Sequence, residues 1–219
     1  MSEFVETYNK EVLENAICCL QKGEPYVYSL VRPSAENKET LKRIVLEYLT
    51  AINKEKAYNL LCLCLEEIMS NSLKANIKRA YFISHNLDIN NPDDYGKGMA
   101  SFKEDGLGKI KDQFFINKIN SMGLYVKLIF ALENNNFTIV ARNNSVISKE
   151  EIERVNKKLK LSENKSPEEL FMNSIDQTEG AGLGIIMIKK IMSQLSTAED
   201  CFTITANETE TITKLIITP

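Results

Sequence analysis

The chain has 219 residues, 43% of them hydrophobic and 26% charged, with a formal net charge of −3 at pH 7. That length allows one domain with a sizeable core, and the lack of a basic excess argues against a broad nucleic-acid footprint. Five cysteines without a CxxC pair and a single histidine offer no zinc-ligand set and fit a reducing, cytoplasmic setting. The amino-terminal stretch MSEFVETYNKEVLENAICCL carries acids throughout and lacks the apolar core of a signal peptide, and the longest apolar run, 60–65, is too short to span a bilayer. Neither a nucleic-acid partner nor a membrane is expected.

In chain order, residues 3–21 predict a helix with Val5, Tyr8, Val12, Leu13, Ala16, Ile17 and Leu20 on one face. Residues 26–31, between Pro25 and Pro33, predict an edge strand, and Ser34 caps a helix over 35–52. Asn53 interrupts, and a long helix is expected over 54–81. Within it and the first helix, Cys62/Cys64 and Cys18/Cys19 read as small buried hydrophobes. The stretch HNLDINNPDDYGKG is loop-like and residues 112–120 look helical, so 84–122 reads as an insertion. Two strand-like runs, 124–132 and 137–142, flank the hairpin signal Glu133-Asn-Asn-Asn136. Ser148-Lys-Glu-Glu151 forms a capping box for a helix to about residue 161. A polar segment follows over 162–178, then a helix over 183–195 and two β-rich runs, 202–206 and 211–218. Without repeat or linker, residues 1–219 predict a single domain, with amino-terminal helices over 1–52.

Two places carry chemistry. In EGAGLGIIMIKK the glycines Gly180, Gly182 and Gly184 open a helix, where free N–H groups suit phosphate. This is neither GxGxxG after a strand nor a Walker loop, and a glycine turn that simply starts a helix is the competing reading. On the long helix, Glu67, Asn71, Lys74 and Lys78 share one face, while Leu61, Cys64, Leu65, Ile68, Ser72 and Ala75 share the opposite face. Such a polar stripe is ordinarily a solvated face. A carboxylate and an amide one turn apart also suit Mg·ATP chemistry, one to orient or deprotonate a nucleophile and the other to ligate Mg²⁺. His85 precedes an Asn-, Pro- and Asp-rich stretch and reads as a surface histidine rather than a phosphoacceptor.

The order of these parts resembles the GHKL ATPase family, which includes histidine-kinase catalytic domains and anti-sigma-factor kinases. EEIMSNSLKAN is similar to the family's N box and EGAGLGIIMIKKIM to its second glycine box. The resemblance covers about residues 55–218, less the insertion, and implies the Bergerat fold: a two-layer α/β sandwich with helices on one face of a mixed sheet. It implies Glu67 as the catalytic base or orienter, and Asn71 as the Mg²⁺ ligand. Lys74 and the backbone of Gly180, Gly182, Leu183 and Gly184 would meet the phosphates of ATP or ADP under a lid at 162–178. The family's adenine-binding D-x-G-x-G is here Asn143-Asn-Ser-Val-Ile147, so Asn143 takes the place of the adenine-reading aspartate. Two functions stay open. One is a cytoplasmic signalling ATPase or kinase that binds Mg·nucleotide and acts on a separate regulatory protein. The other is a non-catalytic module of the same fold that has lost adenine recognition.

Overall fold

A computed structural model describes residues 8–30, 34–102, 113–162 and 183–219. The first helix, α1 (Lys10–Lys22), begins where the Asn9 side chain accepts the Val12 N–H at 3.0 Å and stops at Gly23, whose φ of 69° ends the helix in the left-handed region. Strand β1 (Tyr26–Leu30) leads to α2 (Ala35–Ala51), capped by a reciprocal box between Ser34 and Asn37. Asn53, at φ 56°, breaks the path, and a 3-10 turn over Glu55–Ala57 feeds α3 (Tyr58–Ser84). Beyond it come α4 (Pro92–Ser101) and α5 (Gln113–Ser121), the hairpin β2 (Val126–Glu133) and β3 (Asn136–Asn143), and α6 (Lys149–Ser162). The described chain closes with α7 (Leu183–Leu195), β4 (Phe202–Ala206) and β5 (Thr211–Ile217).

The hairpin turn is set by two residues. Asn134 and Asn135 both take positive φ, 52° and 62°, the conformation of a two-residue turn whose twist matches its strands. The five described strands form one sheet in the order β1-β2-β3-β5-β4, with β1 at one edge as its flanking prolines predict. All four pairings are antiparallel, so the expected mixed sheet is corrected among the described strands. Each connected pair here is a hairpin or a return over the helical layer, and neither route requires a parallel neighbour.

Alternation along the strands puts Leu128, Phe130, Phe137, Ile139, Leu215 and Ile217 on one face, each at most 1% exposed. Against them pack Leu41, Ile44, Tyr48 and Leu49 of α2, Leu61, Cys64, Leu65 and Ile68 of α3, and Ile188 and Met192 of α7. Tyr48 stacks on Phe137 with ring centroids 4.9 Å apart, and its hydroxyl donates to the Phe130 carbonyl at 3.3 Å. The result is a layer of helices on one sheet face, an α/β architecture.

A second apolar cluster lies along the carboxyl half of α3, where Ile77, Ala80, Tyr81 and Phe82 meet Ile89, Phe102, Ile119 and Leu124. It holds α4 and α5. The loop-like reading of 85–98 is therefore corrected from residue 92 onward. Asn91 caps α4 by accepting the N–H groups of Asp93 and Asp94, and Pro92 occupies its first turn. Gly98 lets that helix lie directly on the Phe82 ring.

All five cysteines are free. Cys62, Cys64 and Cys201 are buried, and burial pushes the Cys62 and Cys64 thiols up to about 11 and about 12. Cys18 is exposed, contrary to its expected place in the core, because the buried stripe of α1 passes through Ala16 instead. Among the described residues no helix is long and apolar enough to cross a membrane.

Candidate functional site

A cleft of about 370 Å³ opens at the end of the sheet, within the range of small-molecule sites. One wall is α3, which contributes Ile68, Asn71, Ser72, Lys74, Ala75 and Lys78. The floor comes from Ala141 and Asn143 of β3, Ser145 beyond it, and Thr211 and Thr213 of β5. Helix α7 adds Ile185 and Ile188, α6 adds Glu151, Arg154 and Lys158, and the 85–102 region adds Tyr95 and Phe102.

Beside the cleft, next to Asn71 of its wall, two distant motifs meet, although neither Glu67 nor Gly184 lines the cleft itself. Asn71 Nδ2 donates to Glu67 Oε1 at 3.0 Å, one helical turn away. The Glu67 carboxylate rests against Gly184 in the first turn of α7, so that a Cβ at position 184 would overlap the carboxylate and lie 2.7 Å from Glu67 Cγ. Close approach, not an unusual φ, is what requires glycine there. Leu183, partly buried, opens the same helix. Lys74 is exposed on the cleft rim. Gly180, Gly182 and the expected lid at 162–178, apart from Ser162 at the end of α6, lie outside the described residues.

The floor is a closed hydrogen-bond network. Asn143, 5% exposed, donates from Nδ2 to the Ser72 carbonyl at 3.1 Å and accepts the Ser145 N–H on Oδ1 at 3.1 Å. Ser145 Oγ donates to Asn76 Oδ1 at 2.7 Å, and Thr211 Oγ1 donates to the Ser145 carbonyl at 2.9 Å while accepting the Ile147 N–H at 2.8 Å. Asn144 adds a further clamp, accepting the Tyr125 N–H at 2.7 Å and donating to the Gly123 carbonyl at 2.9 Å. The segment after β3 is thus pinned to α3 and β5 without glycine. Buried polar groups of this kind are costly unless paired, and here they pair with one another.

Charge gathers at the opposite rim. Glu151 completes its capping box with Ser148, accepting the Ser148 N–H at 3.1 Å, and it pairs with Lys78. The Tyr95 hydroxyl donates to Glu151 at 3.4 Å and accepts from Arg154 at 2.7 Å. Burial alone would raise the Glu151 pKa, but the Lys78 charge and hydrogen bond, the Ser148 N–H and the Arg154 charge outweigh it and hold the carboxyl below its ordinary value.

His85 stands away from this chemistry, with Nδ1 2.8 Å from the Tyr81 carbonyl and its ring stacked on Tyr81 at the end of α3. Among the described residues, no group of three or more His, Cys, Asp or Glu side chains is placed to hold a metal. Among the described residues Asn71 engages only its Nδ2, so its Oδ1 could serve as a hard ligand. That donor set fits a Mg²⁺ carried in with phosphate and water, not a resident ion in a protein cage.

Tyr95, Arg154, Lys158, Thr211 and Thr213 escape the sequence reading of the site, although all line the cleft. The Asn-x-Ser spacing of Asn143 and Ser145 was a usable turn signal. The partners that Thr211 and Tyr95 find across the chain had no local signature.

Against known proteins, the chain is 32% identical over 170 residues to a protein of Treponema pallidum (strain Nichols) described as uncharacterized. The match covers 77% of this chain and 33% of that protein, so the chain spans about a third of its relative's length. No family model and no solved structure matches the chain.

Proposed function

We propose that the chain is a GHKL-type nucleotide-binding domain with the Bergerat arrangement, acting in bacterial signalling on Mg·ATP and a separate regulatory protein in the cytoplasm. One observation carries the reading: Glu67, hydrogen-bonded to Asn71, lies against Gly184 at the start of α7. A helix start that favours anions is thereby set beside a carboxylate and an amide, next to a ligand-sized cleft that Asn71 and Ile185 line. In this reading Glu67 accepts the proton of the attacking hydroxyl or water, as a general base within reach of the phosphate end. Asn71 Oδ1 would hold Mg²⁺, which would neutralise phosphate charge, and Lys74 with the backbone of Gly180, Gly182, Leu183 and Gly184 would meet the phosphates.

A second reading, the non-catalytic module, is favoured by a different observation. The Asn143 amide is already engaged on both sides, by Ser72 and by Ser145, and it carries no charge where the family's adenine-reading residue is an aspartate. Titration of the full chain with ATP and ADP, with and without Mg²⁺, separates the two. Saturable Mg²⁺-dependent binding is the expected outcome. No binding at millimolar nucleotide would leave the module reading in its place.

A further inference from the structure

The cleft is strongly polarised. Among the described residues five basic side chains line it, Lys74, Lys78, Arg79, Arg154 and Lys158, and one carboxylate, Glu151, with Glu67 just outside beside Asn71, in a chain whose net charge is −3. Its interior is neutral, with Ile68, Ala141, Ile188 and Phe202 around the floor polar groups. An elongated ligand with an anionic end and an uncharged planar end would therefore enter ring first and leave its charge at the rim.

The floor decides what is read on that ring. The Asn143 amide spends one N–H on the Ser72 carbonyl and one lone pair on the Ser145 N–H, which leaves it one donor and one acceptor. Thr213, opposite Ala141 in the sheet, offers a hydroxyl that makes no hydrogen bond among the described residues and that rotates to donate or accept. Ser145 Oγ already donates to Asn76 Oδ1, and Thr211 Oγ1 already donates to the Ser145 carbonyl and accepts the Ile147 N–H. No carboxylate stands on the floor to demand a donor from the ligand. Asn143 and Thr213 each keep a donor and an acceptor, and the other buried floor groups are already paired, so exchanging an amino group for a keto group on the base leaves no buried partner unpaired.

We infer, on the nucleotide reading above, that the site takes nucleoside polyphosphates whose base presents either an amino or a keto edge, and selects for the phosphate chain. A floor built around one fixed acceptor would behave differently, since stranding a dedicated buried group rejects the wrong ligand by about 10⁴–10⁵.

The test compares ATP with inosine triphosphate, which carries a keto group where adenine carries its amino group. Calorimetric titration of the full chain in Mg²⁺ is expected to give dissociation constants within about tenfold of each other, a spread of about 1.4 kcal/mol. A preference beyond that factor, in either direction, overturns the inference and leaves the nucleotide reading standing. Absence of binding by both compounds removes the nucleotide reading itself, and the inference with it.

Discussion

At Gly184 a single methyl group is enough to move the Glu67 side chain. The Cβ of alanine would occupy the space of the Glu67 carboxylate, the mobile end of a partly exposed side chain. The carboxylate can swing away, so the fold should tolerate Gly184→Ala while the site does not. Removal of a general base costs about 10²–10⁴ in rate, so if Glu67 is the base of the proposed reaction, Glu67→Ala should lower turnover by that order with nucleotide affinity nearly unchanged. Gly184→Ala should lower turnover in the same direction, with a melting temperature close to the parent's. Normal turnover in a normally melting Gly184→Ala protein would disconnect Glu67 from the reaction. Asn143 presents the reverse case, because its amide belongs to the fold. Asn143→Asp loses the donor to the Ser72 carbonyl and sets a buried carboxylate facing it. The expected cost is about 2 kcal/mol, or roughly 4–8 °C in Tm for a chain of this size, measurable by scanning calorimetry.

Among the elements, α3 organises most of the molecule. Its first half packs Leu61, Cys64, Leu65 and Ile68 into the core over the sheet, and its second half packs Ile77, Ala80, Tyr81 and Phe82 against α4 and α5. The polar stripe with Glu67, Asn71 and Lys74 runs between those two apolar attachments, and so the site is held from both ends. Attachment of α4 depends on one glycine. A Cβ at Gly98 would lie 2.5–3.0 Å from three atoms of the Phe82 ring, and Phe82 is fully buried with no space to yield. Gly98→Ala should cost about 1–3 kcal/mol by overpacking, against the gain in helix propensity that alanine brings elsewhere. Urea unfolding is the measurement, and equal or greater stability in the variant would show that α4 does not dock on Phe82.

Across the whole molecule, α3, α4 and α6 are tied by the cluster of Lys78, Tyr95, Glu151 and Arg154. Glu151 has a folded-state pKa below its ordinary 4.5, as does Glu210, where burial is outweighed by hydrogen bonds from Tyr125 and Arg142. A carboxyl with a lowered folded pKa stabilises the protein above its unfolded pKa, and that stabilisation is lost as pH falls through the folded value. Stability should therefore be flat near neutrality and fall in acid below the ordinary carboxylate range. Glu151→Gln keeps an N3 side chain able to accept the Ser148 N–H but removes the charge. Its melting temperature should be lower than the parent's near neutrality and should change less between about pH 6 and 3. Parallel pH profiles for the two proteins would show that Glu151 carries no linked charge.

Interactions spanning only a few residues were legible before any coordinates. The caps at Ser34 and Ser148, the Asn134–Asn135 turn and the periodicity of α2, α3 and α7 depend on neighbours along the chain, and each stands where its residues predict. The pairing of Glu67 with Asn71 belongs to the same class, since one helical turn brings the two side chains together. The polar sequence around Pro92 concealed α4, because that helix is stabilised by its Asn91 cap and by Phe82, which lies outside the segment. The purely antiparallel sheet, the contact of Gly184 with Glu67, and the binding of Asn143 to Ser72 join residues far apart in sequence. Those depend on where the helical layer settles on the sheet, a property of the collapsed core that no local pattern encodes. The family resemblance implies a base-reading role at position 143, whereas the folded chain shows its amide satisfying α3 and its own turn, because a buried polar group must be paired.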